Sequence, residues 1–253
     1  MVDIKLISVL ILMVILTPAF SQKKGTGSGF TGFDKGFIKF SYNYFPSFTE
    51  VLNDEVEAFG LEKFDENIFL WGGELCANLN SAVGFSVQYY TGTDISSRIV
   101  TLTDQDMNEI ELDRSVSYGI SFIALSVNYR KKMIGTFDYF GTLSAGYGSV
   151  KIMISQDFGD QYYEDLWNSF DPESDIYDYN RSSIYDPSLY IFRAENGLRF
   201  YTGNRLSFDL TVGYTYGFVS DSGEINYGFE SLKNMPDFDF KGINYGLGIS
   251  FGY

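Results

Sequence analysis

The segment that ends this chain, Gly242 to Tyr253, alternates without a break. Ile243, Tyr245, Leu247, Ile249, Phe251 and Tyr253 share one parity, and Asn244, Gly246, Gly248, Ser250 and Gly252 share the other. Alternation with period two marks a strand with two unlike faces. The segment before it repeats the scheme, with Leu206, Phe208, Leu210, Val212, Tyr214, Tyr216 and Phe218 against Ser207, Asp209, Thr211, Gly213, Thr215 and Gly217. In a soluble sandwich the apolar face would pack a core and the polar face would meet water. Here the polar face is unusually small. That suits a narrow, crowded barrel interior and leaves the large face in need of an apolar medium outside.

Eight such segments run through the chain, at about 33–45, 66–79, 82–94, 114–130, 136–152, 184–202, 205–218 and 239–253. Many reach ten residues, against roughly five or six in an ordinary strand. About ten tilted residues cross a bilayer core. Short turns at 80–81, 131–135 and 203–204 alternate with long connections at about 46–65, 95–113, 153–183 and 219–238. Short turns at one end and long loops at the other are the layout of membrane barrels. Charge follows the same division. Most of the 33 acidic residues fall in or beside the long connections, whereas Arg130, Lys131, Lys132 and Arg205 sit at short turns. The expected architecture is all-β: an eight-stranded antiparallel up-and-down transmembrane barrel.

The start of the chain reads as a secretory signal peptide over 1–21. Lys5 supplies the positive region, Leu6 to Leu16 the apolar stretch, and Ala19-Phe20-Ser21 the small residues before a cut at Gln22. A flexible leader (22–32) then precedes a barrel expected over 33–253. The leader's Gly25, Gly27 and Gly29 do not make a phosphate loop, because no strand precedes them and no helical pattern follows.

The last strand, Gly242 to Tyr253, resembles the C-terminal β-signal of the small eight-stranded outer-membrane barrels of Gram-negative bacteria, the class that includes the OmpA transmembrane domain and OmpX. The resemblance is architectural and covers roughly 33–253. It implies an outer-membrane location, with short periplasmic turns and four long extracellular loops. It also implies outer-membrane lipid and the barrel-assembly machinery as partners, the latter reading Tyr245, Leu247, Ile249, Phe251 and Tyr253. Its most direct departure from OmpA is that the sequence stops at this strand, without a periplasmic peptidoglycan-binding domain.

Composition excludes other functions. With no histidine, imidazole can serve neither as base nor as metal ligand, and the outer-membrane barrel hydrolase and acyltransferase families similar in architecture rely on histidine, so the resemblance implies no such activity. A single cysteine, Cys76, permits no internal disulfide and no Cys-rich zinc site, and it reads as a small interior filler. A net charge of -15 disfavours nucleic acid. No catalytic residue, metal site or cofactor is expected. The expected function is non-catalytic: an envelope role, or binding of a surface ligand or envelope protein through acidic aromatic loops. The alternative is a porin-like barrel passing small or hydrophobic solutes, and a soluble lipocalin-type barrel comes third.

The interior parity carries charges in two groups. Lys39, Glu74, Arg193 and Glu195 fall near mid-barrel, and Asp138, Arg199 and Asp209 fall near the turn end. A lone charge there would cost several kcal/mol, so pairing is expected, with Glu74 against Arg193 or Lys39. The network reads either as a gate or as ion pairs filling a lumen only wide enough for side chains.

Three details complete the expectation. Parity changes in the fourth strand between Val116, Tyr118, Ile120, Phe122 and Leu125, Val127, Tyr129, which predicts a bulge near Ile123-Ala124. Ser47 with Glu50 matches a capping box, Leu52, Val56 and Phe59 share a helical face, and Gly60 ends it, predicting a lid on the rim. The stretch Gln156–Asp186 interleaves acids with aromatics and reads as a solvated adhesive loop rather than a calcium site. Asp171-Pro172-Glu173-Ser174-Asp175 lacks the EF-hand Gly and terminal Glu.

Overall fold

The computed structural model describes residues 36–47, 49–80, 82–103, 109–158, 181–203, 205–220, 224–225, 230–231 and 239–252. The signal peptide, the leader, Tyr253 and the middle of the acidic stretch (159–180) lie outside the described residues. In chain order come β1 (Gly36–Pro46), α1 (Thr49–Ala58), β2 (Asn67–Asn78), β3 (Val83–Thr103), β4 (Glu109–Lys132) and β5 (Phe137–Phe158). Then follow β6 (Arg181–Asp186), β7 (Ser188–Tyr201), β8 (Leu206–Val219), the two-residue β9 (Glu224–Ile225) and β10 (Glu230–Ser231), and β11 (Phe240–Gly252).

Every neighbouring pair is antiparallel, and eight long strands close on themselves. β1 pairs with both β2 and β11, and β5 pairs with both β4 and β7. Stepping around the wall from Phe37 through Cys76, Ser86, Ser126, Ser144, Arg193 and Thr215 leads to Gly242. Extending the β1–β11 register by three residues beyond Tyr44↔Tyr245 sets Gly242 opposite Ser47. The stagger from position 37 to position 47 tilts the strands and, with eight of them, fixes a narrow bore.

The two faces of the wall are chemically distinct. Trp71, Leu125 and Leu143 are 62%, 70% and 67% exposed, in an outward belt with Phe40, Tyr42, Phe192, Tyr214 and Leu247. In water a contiguous apolar surface of this extent is unstable, whereas in a bilayer it is the required outer surface. The outer face also carries polar residues, Asn196 among them. Asn196 is satisfied across the strand boundary, because the Tyr139 hydroxyl donates to its Oδ1.

Three expectations fail here. No bulge interrupts β4, whose register with β3 runs unbroken from Val83↔Tyr129 to Thr103↔Glu109. Val116, Tyr118, Ile120, Phe122 and Ala124 instead point inward and are buried, because the inner face itself becomes apolar toward the loop end. The connection predicted over 95–113 is mostly not a loop. β3 and β4 continue past the barrel as a paired hairpin, and β5 and β6 extend beside them. The sixth predicted segment is divided at Pro187 into β6 and β7, which follow one register along β5.

Candidate functional site

The lumen is filled in two layers. In the turn-end layer Lys39 Nζ lies 3.9 Å from Glu74 Oε2 and 3.7 Å from Asp209 Oδ2. Arg199 grips Asp209 bidentately, Nε to Oδ1 at 2.7 Å and Nη2 to Oδ2 at 2.8 Å, and Ser250 Oγ donates to the same carboxylate. Asn128 Nδ2 donates to Glu74 Oε1 at 3.1 Å. Arg193 pairs with Glu195 on its own strand, and Asn244 Nδ2 donates to Glu195 Oε1 at 2.7 Å. Asp138 accepts from the Tyr201 hydroxyl at 2.8 Å, and Arg130 Nε lies 3.8 Å from it. All seven charges read from the sequence face the lumen and are buried. Of the two partners expected for Glu74, the structure brings Lys39 and not Arg193.

Small residues on β11 make this packing feasible. A Cβ on Gly248 would sit 2.6 Å from Lys39 Cε, so the lysine lies where any larger residue would stand. The opposing residues give Lys39 and Arg199 further cover. Lys39 Nζ lies 5.5 Å from the Phe140 ring centroid, and Arg199 stacks 4.1 Å from Phe37. Cation–π contacts contribute about 2 kcal/mol when desolvated. Cys76 is buried among Asn78 and Asn128 and serves as filler there.

The loop-end layer is apolar. Phe45, Leu70, Tyr90, Ile120, Phe122, Val150, Leu189, Ile191 and Phe240 form one buried cluster that continues into α1 through Val56 and into the following segment through Leu61 and Phe64. Arg193 sits at the boundary, its guanidinium 4.9 Å, 5.5 Å and 5.9 Å from the rings of Tyr90, Phe45 and Phe122. The lid is local chemistry. Gly60, at φ 88°, donates to Glu57 O and Leu61 donates to Val56 O, the paired bonds of a Schellman end. At its start Ser47 Oγ accepts from the Thr49 amide rather than from Glu50. Leu52 and Phe59 pack against the cluster as the helical spacing requires.

Closure, stagger, outward belt and filled bore are now all in place. The fold is that of the small eight-stranded outer-membrane barrels. Solved structures show the same likeness at low similarity. Neisserial surface protein A is 10% identical with a TM-score of 0.44, covering 86% of this chain and 97% of that one. Ail, the attachment invasion locus protein of Yersinia pestis, is 13% identical at 0.34, covering 87% and 98%. The outer membrane protein OprG from Pseudomonas aeruginosa is 11% identical at 0.39, covering 88% and 98%. No family model and no curated protein sequence matches this chain. At these scores the strand pairing itself carries the assignment.

Parity found the lumen charges but missed their neutral partners. Arg130, beside a short turn in the sequence, also reaches inward to Asp138. Asn128, Asn244 and Ser250 were signalled only by being polar on the inward parity. Among the described residues no group of three metal-binding side chains comes together. Of the predicted assembly residues, Tyr245, Leu247, Ile249 and Phe251 stand outward on β11, and Tyr253 is outside the described residues.

Proposed function

We propose that this chain is a non-catalytic integral barrel of the Gram-negative outer membrane, closed to solute flow, that presents an ordered sheet at the cell surface. The supporting observation is the doubly filled bore. The cavity touching Glu74, Asn128, Arg130 and Arg199 is about 20 Å³, room for about one water. Above it the bore holds packed apolar side chains and a lid. Outer-membrane lipid covers the belt, and the barrel-assembly machinery takes the outward face and free edge of β11 before it closes on β1. With no histidine in the chain, the proposal assigns no reaction to it.

Reconstitution into planar bilayers tests the closed state. The expected trace is flat at voltages that open general porins. A large, steady wild-type conductance would overturn the reading in favour of transport. Location is checked separately by fractionation, where the protein is expected in the detergent-extracted outer membrane. Recovery as a soluble periplasmic monomer would refute it.

A further inference from the structure

Above the belt, β3, β4, β5 and β6 form a sheet whose two faces divide charge. On the odd-numbered parity lie Glu109, Glu111, Asp113 and Asp157, with Asp113 directly opposite Asp157. On the even parity of β3 and β4, and in line with it on β5 and β6, Arg98 is opposite Arg114, Arg114 opposite Gln156, and Gln156 opposite Arg181. This second face looks toward the lid, since Ser96 Oγ donates to Glu62 O from it and Arg114 Nη1 donates to Phe59 O. Cross-strand acid–base pairing would have neutralised both faces, and the sequence does the opposite. Like charges directly opposite one another destabilise a sheet. In a chain of net charge -15, a row of three arginines with no carboxylate in salt-bridge range among the described residues needs an explanation.

We propose that this row is a binding site for a small soluble oligoanion, a molecule carrying two or more phosphate or sulfate groups. A cleft of about 510 Å³ opens onto Arg114 and Arg181, with Gln156 and Ser183 beside them and Phe59, Leu102 and Ile154 among its apolar walls. That volume lies within the usual range of ligand pockets, about 300–1,000 Å³. Arg114 is held in place beforehand. Its Nε donates to Gln156 Oε1 at 2.9 Å, its Nη1 to the Phe59 carbonyl at 3.0 Å, and its plane lies 4.6 Å from the Phe59 ring. Among the described residues nothing takes Nη2, which a ligand can then engage. Arg114 and Arg181 are two strands apart, roughly 10 Å at the spacing of a sheet, so a single small anion satisfies one end only. Arg98 is opposite Arg114 in the strand register, outside the cleft lining, and adds a second positive charge near that end. Guanidinium is the group suited to bidentate capture of such oxyanions.

The proposal rests on the reading that this sheet stands clear of the bilayer, but its test does not depend on which membrane the barrel occupies. The full chain in neutral detergent is titrated by calorimetry with inositol hexakisphosphate, inorganic phosphate and uncharged inositol. Inositol hexakisphosphate is expected to bind at least tenfold more tightly than phosphate, and inositol not at all. Arg114→Gln and Arg181→Gln are each expected to weaken binding about tenfold, and the triple change with Arg98→Gln to abolish it. Arg98→Gln separates a binding role from a structural one. It should weaken binding while leaving the unliganded melting temperature unchanged or raised, because it removes a like-charge pair. Repetition in vesicles tests the source of the anion, and an affinity unchanged by anionic lipid supports a soluble ligand. Competition by anionic lipid would assign the row to a head group and overturn the proposal. So would absence of binding by the wild type, equal affinity in the triple variant, or an Arg98→Gln protein that melts lower and binds normally. A conducting barrel that still binds would sink the closed-bore reading alone.

Discussion

The two halves of the lumen solve one problem in opposite ways. Both must fill the bore of an eight-stranded wall. The turn-end half fills it with Lys39, Glu74, Arg199 and Asp209, each bound to at least one other group, while the loop-end half uses Phe45, Tyr90, Phe122 and Ile191. The wall outside does not differ in the same way, because both halves carry the same outward belt. Interior polarity therefore changes along the bore while the outer face does not. The turn end is a rigid network whose strength depends on every member. The loop end is a packed core, where a lost side chain leaves a cavity.

Four changes would break or sharpen that contrast. The largest effect is expected from Phe122→Ala, about 4 kcal/mol, since it opens a cavity where three rings and Arg193 meet. Urea unfolding in lipid vesicles measures it, and a loss under about 1 kcal/mol would mean that the loop-end half is loosely packed. Next comes Arg199→Met, about 3 kcal/mol, the lower end for a broken buried pair because the small cavity beside it admits water. Adding Asp209→Asn should restore part of that loss, whereas no second substitution of a charge rescues Phe122→Ala.

Glu74→Ala should cost less, about 1–2 kcal/mol, because Lys39 keeps Asp209 as a second anion. An equal loss in both charge variants would show that Lys39 does not divide itself between the two carboxylates. The smallest effect is a coupling. Glu74→Ala and Arg193→Ala should be additive to within about 0.5 kcal/mol, while Glu74→Ala and Lys39→Met should couple more strongly. Double-mutant cycles read this directly, and strong Glu74–Arg193 coupling would contradict the observed pairing of Arg193 with Glu195.

Much of the wall was legible because its outer face obeys a single rule. Tyr214, Tyr216, Leu247 and Phe251 are large and outward, and their neighbours are small and inward. The same rule misread β4, where Val116 to Phe122 are large and inward. A lipid face and an apolar core select the same side chains, so parity alone cannot tell them apart. The discontinuity between Phe122 and Leu125 marked the place where the bore changes character, not a bulge. For the lumen charges, parity placed Glu74 and Arg193 inside, but pairing depends on cross-strand register, which a local pattern does not contain. The arginine row was hidden for a related reason. Arg98 and Arg181 lay in stretches read as connections, and only the pairing of β3 to β6 brings them into line.

The extension of β3 to β6 above the rim has a further consequence for the molecule as a whole. An eight-stranded cylinder looks nearly alike from every direction in the membrane plane. Here one arc of the wall rises past the rim while β7, β8, β11, β1 and β2 stop near it, and α1 packs at the foot of the raised arc. The barrel thereby acquires a front and a back. Approached in the membrane plane, the raised arc offers Glu109, Glu111, Asp113 and Asp157 on one side and the cleft with Arg114 and Arg181 on the other. Rotation about the membrane normal becomes a variable that decides which face is offered.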